Sequence, residues 1–102
     1  MRARSKQVEK SSGNVFFDIG FPPLQAQNLR VRAELMMELI RIVRARKLTQ
    51  VAAARLFRIS QPRISDLMTG KIDRFSIDAL VEMLWRSGRR VEVATKRSRR
   101  VA

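Results

Sequence analysis

The sequence predicts an all-α domain of about four helices, followed by a short C-terminal strand. Apolar residues recur at steps of three and four through most of residues 24–88, which is the spacing of one buried helix face. Thr49 and Ser60 each precede an apolar stretch, and Gly70 follows the second stretch, as expected for two helix N-caps and a C-cap. A chain of 102 residues with 45% hydrophobic residues suits one domain with a modest core and tails.

The N-terminal part contains two dissimilar segments. Residues 1–14 are charged and polar, with Ser and Gly, so we predict a flexible basic arm. "VFFDIGFPP" follows, and we expect an extended segment that covers the core, because the apolar run before the prolines is short. Phe16, Phe17 and Phe21 are expected to contact the core or a dimer partner. Nucleobase stacking is the alternative, disfavoured because no basic residue lies between them.

A long helix is predicted from residue 24 to residue 46. Its last turns carry Arg41, Arg44, Arg46 and Lys47, which complement the negative end of the helix dipole. Its predicted buried stripe consists of Leu29, Ala33, Leu35, Met36, Leu39, Ile40, Ile42 and Val43.

Two short helices are predicted next. Thr49 is the expected N-cap of the first, which runs to about Phe57, and Ser60 is the expected N-cap of the second, over residues 61–69. Pro62 falls in the first turn of the second helix, where its missing N–H costs nothing. Helices of about eight residues are marginal in water alone, so we expect both to dock on the long helix.

The last predicted helix begins at Ser76 and ends at Gly88. Its apolar stripe consists of Ile77, Leu80, Val81, Leu84 and Trp85, and we expect Trp85 and the methionines to be core residues.

The alternation in "RRVEVAT" predicts a short strand, with Val91 and Val93 facing the helices and Glu92 pointing outward. A lone strand leaves its backbone groups unpaired. We therefore expect it to pair with a second copy as a dimerisation strand, or with the "VFFDI" segment. The predicted domain thus spans residues 15–95, and residues 96–102 form a basic tail.

The composition narrows the function. The chain has 22 Lys and Arg against 9 Asp and Glu, a net charge of +13, which favours nucleic acid as partner, with an anionic membrane surface second. It has no Cys and no His, which removes the common zinc sites and His-assisted nucleophiles. We therefore expect no enzyme, metal or cofactor. With no membrane-spanning run and no signal-peptide pattern, a cytoplasmic protein without a membrane partner is expected.

The stretch "TQVAAARLFRISQPRISDLM" resembles the Cro and phage-repressor-type helix-turn-helix proteins of the XRE family, and the resemblance covers residues 29–88. Thr49-Gln50 matches the start of the family's first helix, and Ser60-Gln61 the start of its second. The family places a small residue where the helices cross, here Ala54. The family also has apolar residues that join both helices and the turn in one core, and these positions are occupied here by Phe57, Ile59, Ile64 and Leu67.

Two positions depart from the family pattern. Ala53 is smaller than the usual aliphatic residue. Arg58 stands where the family usually has Gly, so the turn there is either strained in a left-handed conformation or has a different geometry.

A narrower resemblance concerns the flanking segments. "SSGNVF", "GKIDRFSIDALVEML" and "RVEV" are similar to small regulators of the HigA antitoxin type.

The helix-turn-helix resemblance implies a lambda-repressor-like fold with residues 61–69 as the recognition helix in the major groove of double-stranded DNA. It implies base contacts by Gln61, Arg63, Ser65 and Asp66. It implies phosphate contacts by Thr49, Gln50, Lys71, Arg74 and Ser76.

These roles have alternatives. The alternative for Gln61 and Arg63 is that both are ordinary solvated residues without a DNA contact. Asp66 is either a helix-surface charge, a partner that holds Arg63, or an acceptor for a cytosine amino group.

The expected function is that of a sequence-specific transcriptional regulator, a repressor acting as a homodimer on a two-fold operator. One alternative is an antitoxin that neutralises a toxin protein and represses its own operon. Another is a basic protein that coats DNA or RNA without sequence preference.

Overall fold

Helices account for all the regular structure in residues 13–97, which are the residues that the computed structural model describes. In chain order these are α1 (Val15–Asp18), α2 (Pro23–Ala45), α3 (Gln50–Phe57), α4 (Gln61–Met68), a 3-10 turn (Ile72–Arg74) and α5 (Ile77–Arg86). The all-α prediction is confirmed for this part of the chain. The predicted basic arm, apart from Gly13 and Asn14, and the tail beyond Arg97 lie outside the described residues.

The core joins α3 and α4 to α2 and α5. Phe57 at the end of α3 and Ile64 and Leu67 on α4 are fully buried, as is Leu39 of α2. The remaining members of the cluster are Met36, Ile42, Val43, Ala53, Phe75, Leu80, Met83 and Leu84. Burial of these side chains supplies the stability that two eight-residue helices lack by themselves.

The turn between α3 and α4 is a left-handed helix end. Arg58 has φ 59° and ψ 46°, so the first of the two alternatives for this position is the one observed. Its backbone N–H, and that of Ile59 at 3.1 Å, donate to the carbonyl of Ala54. A left-handed residue with a Cβ costs about 1–2 kcal/mol relative to the right-handed region, a cost that Gly avoids.

The N-terminal segment is helical, so the prediction of an extended segment is wrong. The Oδ1 of Asn14 accepts hydrogen bonds from the N–H groups of Phe16 (3.0 Å) and Phe17 (3.2 Å), which starts α1. The Nδ2 of Asn14 donates to the carbonyl of Ala26 (3.0 Å) and ties α1 to α2. The rings of Phe16 and Phe21 meet edge to face, 6.2 Å apart between centroids.

The C-terminal strand is also absent from the described residues, and this prediction is wrong. Val91 packs partly against the core, whereas Val93 is 84% exposed and does not face the helices. An isolated strand needs a neighbour for its backbone groups, and the expected neighbour within the chain, the segment from Val15, is a helix.

The segment after α5 is held by polar contacts and not by strand pairing. The Nη2 of Arg46 donates to the carbonyl of Ser87 (2.9 Å), and Arg89 forms an ion pair with Glu38 of α2 (2.9 Å). A hydrogen bond from Arg41 lowers the pKa of Glu38, and the charges of Arg41 and Arg89 lower it further, against the effect of desolvation.

Trp85 is not a core residue, contrary to the sequence prediction, because its side chain is 69% exposed. The core face of α5 carries Leu80, Met83 and Leu84. Trp85 follows Met83 by two residues, which is about 200° around a helix, and therefore lies on the opposite side. Among the methionines, Met36 and Met83 are buried as predicted, whereas Met37 is 62% exposed.

Candidate nucleic-acid interface

Hydroxyl side chains begin three helices in and around the two-helix motif. Thr49 Oγ1 accepts from the N–H of Ala52 (3.1 Å) at the start of α3, and Ser60 Oγ accepts from the N–H of Arg63 (3.4 Å) at the start of α4. Ser76 Oγ caps α5 in the same way. The two predicted N-caps, Thr49 and Ser60, are therefore confirmed, and Ser76, predicted as the start of the last helix, is its N-cap. The hydroxyls of Thr49 and Ser76 fix the ends of helices whose N–H groups carry partial positive charge.

Glutamines occupy the first position of both motif helices. Gln50 opens α3 and Gln61 opens α4, and both side chains are exposed. Gln61 presents an amide with both donor and acceptor atoms to solvent. Ser65, one turn further along α4, is half-buried, and its carbonyl accepts from the hydroxyl of Thr69 (2.8 Å).

Arg63 is held in one place rather than extended into solvent. Its guanidinium lies 4.5 Å from the centroid of the Phe75 ring, and its Nη1 donates to the carbonyl of Arg74 (3.0 Å). Phe75 is only 1% exposed, so Arg63 covers one side of a core aromatic. The Nε and Nη2 donors of Arg63 form no hydrogen bond within residues 13–97, which leaves one edge of the fork open.

Asp66 pairs with cations that follow α4 and not with Arg63. Its carboxylate lies 3.6 Å from Lys71 Nζ and 3.4 Å from Arg74 Nη1. The interpretation that Asp66 holds Arg63 across one turn is therefore wrong. Both cations are about half exposed, whereas the Asp66 side chain is 17% exposed, so its negative charge is largely covered.

A long-range contact positions the cations after α4. The Nη1 of Arg32, on α2, donates to the carbonyls of Ile72 (3.2 Å) and Phe75 (3.5 Å) at the two ends of the 3-10 turn. Its Nε donates to Asn28 Oδ1 (2.7 Å), which orients the side chain along α2. The turn carries Arg74, so Arg32 indirectly sets the place of Arg74 beside α4.

Arg32 and Phe75 were missed by sequence reasoning. Arg32 stands 40 residues before its carbonyl acceptor, and no local pattern predicts such a contact. Phe75 did offer a cue, because an apolar residue between Arg74 and the capping Ser76 is expected to be buried.

The arrangement gathers most of the predicted site residues on one part of the molecule. Gln61, Arg63 and Asp66 lie on α4, and Lys71 and Arg74 are joined to it through Asp66. Thr49, Gln50 and Ser76 lie at the starts of the neighbouring helices α3 and α5. None of the helices between residues 13 and 97 combines the length and the apolar character that crossing a membrane requires.

Two short helices joined by a tight left-handed turn and packed on a longer helix define a helix-turn-helix protein. A family model described as a helix-turn-helix domain matches residues 15–96, and the chain belongs to this family.

The fold is similar to a solved structure provisionally named as an XRE-family transcriptional regulator. The TM-score is 0.68 and the sequence identity 27%, over 76% of this chain and 88% of that chain. No curated protein matches the chain.

Proposed function

We propose that the protein is a sequence-specific DNA-binding transcriptional regulator that uses α4 as its recognition helix. The observation that carries the proposal is Arg63, which is fixed against Phe75 and Arg74 with one edge of its guanidinium open. The name of the similar structure, an XRE-family regulator, supports it. The net charge of +13 suits a partner with one negative charge per phosphate.

The proposed base contacts follow from the donors and acceptors that α4 presents. A helix fits the major groove of B-DNA, and side chains near its N-terminus contact base edges. Gln61 pairs with adenine through its amide, and Arg63 pairs with guanine through Nε and Nη2. Ser65 and Asp66 are the other two proposed base contacts. Asp66 accepts a hydrogen bond from a cytosine amino group once Lys71 and Arg74 have left it for the phosphates.

The proposed phosphate contacts flank α4 on both sides. Thr49 and Gln50 bring the N-terminus of α3 to one phosphate, and Ser76 brings the N-terminus of α5 to another. Lys71 and Arg74 are positively charged, and on binding DNA they leave their ion pairs with Asp66 and pair with phosphate oxygens.

We infer that the protein acts as a homodimer, because one recognition helix contacts only a small stretch of DNA, and that it is a repressor. One recognition helix covers only a few base pairs, so useful specificity needs two copies on a two-fold site with half-sites about 34–36 Å apart. A dimer that covers its site blocks other proteins from it, which makes repression the proposed direction. The C-terminal strand plays no part in this proposal.

An antitoxin that neutralises a toxin and represses its own operon is the second candidate. The flanking segments "SSGNVF" and "GKIDRFSIDALVEML" favour it, since they resemble those of HigA-type proteins. A neighbouring reading frame for a toxin-like protein distinguishes it from the first candidate.

Selection of bound duplexes from a random pool tests the proposed function. We expect enrichment of an inverted repeat and binding of two protein chains per duplex in sedimentation. Affinity for the selected site is expected to fall steeply with salt, because phosphate contacts release counterions. Equal affinity for unrelated duplexes would instead identify a protein that coats nucleic acid without sequence preference.

A further inference from the structure

A cleft with an exposed tryptophan lies where the C-terminal ends of α3 and α5 meet. Trp85 lines it together with Arg55, Leu56, Arg58 and Arg86, and its volume is about 500 Å³. An indole that is 69% exposed on a small domain is unusual, because Trp is highly buried on average. The Trp85 cleft therefore needs an explanation beyond core packing.

The arginines of the Trp85 cleft differ in their partners. Arg86 is used within the domain, since its guanidinium donates to the carbonyl of Phe57 (3.2 Å) and to Glu82 (2.8 Å). Arg55 and Arg58 are exposed and form no side-chain hydrogen bond or ion pair with the rest of the described chain. Two guanidinium groups thus remain available beside the indole.

The backbone at Arg58 adds a second observation. Its φ of 59° is the conformation that Gly adopts without strain, yet the position carries a long cationic side chain. Strained non-glycine residues persist chiefly at sites where the side chain has a use. Lys47, after α2, is the other non-glycine residue with a positive φ (53°) in residues 13–97. Arg58 is the one of the two that lines the Trp85 cleft, and its side chain forms no hydrogen bond or ion pair with the described chain.

The Trp85 cleft lies at the opposite ends of α3 and α5 from their proposed phosphate contacts. Gln50 and Arg58 stand at opposite ends of α3, which rises about 1.5 Å per residue. The cleft is therefore separated from the N-termini of α3 and α5, whereas Arg58 precedes Gln61 of α4 by three residues.

We propose that the Trp85 cleft is a docking site for an acidic, apolar-containing segment of a partner protein. Carboxylates of that segment pair with Arg55 and Arg58, and an apolar side chain packs on Trp85 and Leu56. A second copy of this surface carries the same positive charge and is repelled. Single-stranded nucleic acid needs successive aromatic platforms along a groove, whereas the Trp85 cleft offers one.

The test begins with selection from a displayed peptide library that mixes Glu and Asp with Leu and Phe. Trp85 is the only tryptophan, so a blue shift of its emission on titration with the best peptide reports occupation of the cleft. The matched peptide with Gln in place of Glu is expected to bind about tenfold more weakly, because charge-assisted hydrogen bonds are lost.

Variants at Arg58 and Arg55 separate binding from folding. Arg58→Gly relieves the left-handed strain, so it should unfold at the same or a higher temperature while binding the selected peptide about tenfold more weakly in the Trp85 emission titration. Arg55→Gln should weaken binding similarly, whereas Arg30→Gln on α2, an exposed arginine outside the cleft, should leave binding unchanged. Operator binding by Arg58→Gly is expected to match the wild type, so failure of the docking site and failure of the DNA proposal are distinguishable.

Several results would overturn the proposal. One is the absence of any selected peptide whose binding depends on Arg55, Arg58 and Trp85. Another is a blue shift with oligo-dT that competes with the peptide, which would assign the cleft to nucleic acid. A third is a blue shift on concentration alone, accompanied by dimer sedimentation that Trp85→Ala abolishes, which would assign the cleft to a second copy.

Discussion

Arg63 packs against Phe75 and is also a proposed base contact, and substitutions of Arg63 by Ala and by Lys separate these two roles. Arg63→Ala removes the hydrogen bond to the Arg74 carbonyl and uncovers the Phe75 ring. The hydrogen bond contributes about 0.5–1.5 kcal/mol and the cation–π contact at a partly exposed site about 0.5–1 kcal/mol. We therefore expect a loss of about 1–2.5 kcal/mol in the free energy of unfolding, or roughly 4–20 °C in Tm.

The binding effect of Arg63→Ala is measured well below its Tm, so that the variant is folded. A bidentate pair with guanine contributes about 1–3 kcal/mol of discrimination. The ratio of affinities for the selected operator and an unrelated duplex should therefore fall by roughly 5- to 150-fold in anisotropy titrations. Arg63→Lys keeps the charge without the planar fork, so it should lose most of this ratio while retaining more affinity for unrelated DNA.

Arg30→Ala is the matched control, because it removes one positive charge from an exposed ion pair on α2. Its effect on stability should lie within about 0.5 kcal/mol, and its affinity ratio should not change. An unchanged affinity ratio in Arg63→Ala, with a lowered Tm, would refute the base contact and leave only the packing role. An unchanged Tm would refute the packing role.

Three further substitutions test other contacts. Asp66→Asn removes the carboxylate that pairs with two cations, so affinity for unrelated duplexes in anisotropy titrations should rise by a few-fold, as expected for phosphate-directed charge. The pKa of Glu38 is lowered in the folded state, so its stabilising contribution is present above about pH 4.5 and is lost as pH falls further; urea unfolding of Glu38→Gln should lack this loss. Ala54→Leu should destabilise the domain by about 1–3 kcal/mol in urea, because Ala54 packs against the core beside the fully buried Ala53. An effect of Ala54→Leu below about 0.5 kcal/mol would show that the site has room for a larger side chain.

The elements that were predicted well begin with local chemistry. Thr49, Ser60 and Ser76 each accept a hydrogen bond from an N–H three residues later, and this capping is visible in a short stretch of sequence. The two-helix motif between Thr49 and Gly70 was therefore predictable, including the left-handed Gly70. The family match over residues 15–96 agrees with it.

The elements that were predicted poorly depend on partners distant in sequence. The short helix α1 is tied to α2 by the hydrogen bond from Asn14 Nδ2 to the carbonyl of Ala26, twelve residues away, and the short apolar run by itself does not predict a helix. The alternation of Val91 and Val93 suggested a strand, although strand formation depends on a neighbour that the described chain does not supply.

Candidate-site geometry was predicted only in part. Spacing placed Arg63 and Asp66 on one helix face, where an ion pair between them was reasonable. The structure instead pairs Arg63 with Phe75 and Asp66 with Lys71 and Arg74, residues that a turn of unknown shape brings back to α4. The exposure of Trp85 escaped prediction for a similar reason, since the apolar stripe of α5 is wider than the face that α2 and α3 cover.

The shortness of α3 and α4 has a consequence for how the protein responds to damage. Both helices owe their stability to Phe57, Ile64 and Leu67, so α4 has no means of staying folded once the core opens. The amide protons of Ile64 to Met68, which are hydrogen-bonded within the helix, should then exchange with solvent only through global unfolding, and not through local fraying of an independent unit. Any core substitution that raises the unfolded fraction lowers the concentration of intact α4 in equal measure. Core mutations far from the surface of α4 thus reduce DNA binding by lowering the concentration of folded protein, without changing the affinity of each folded molecule.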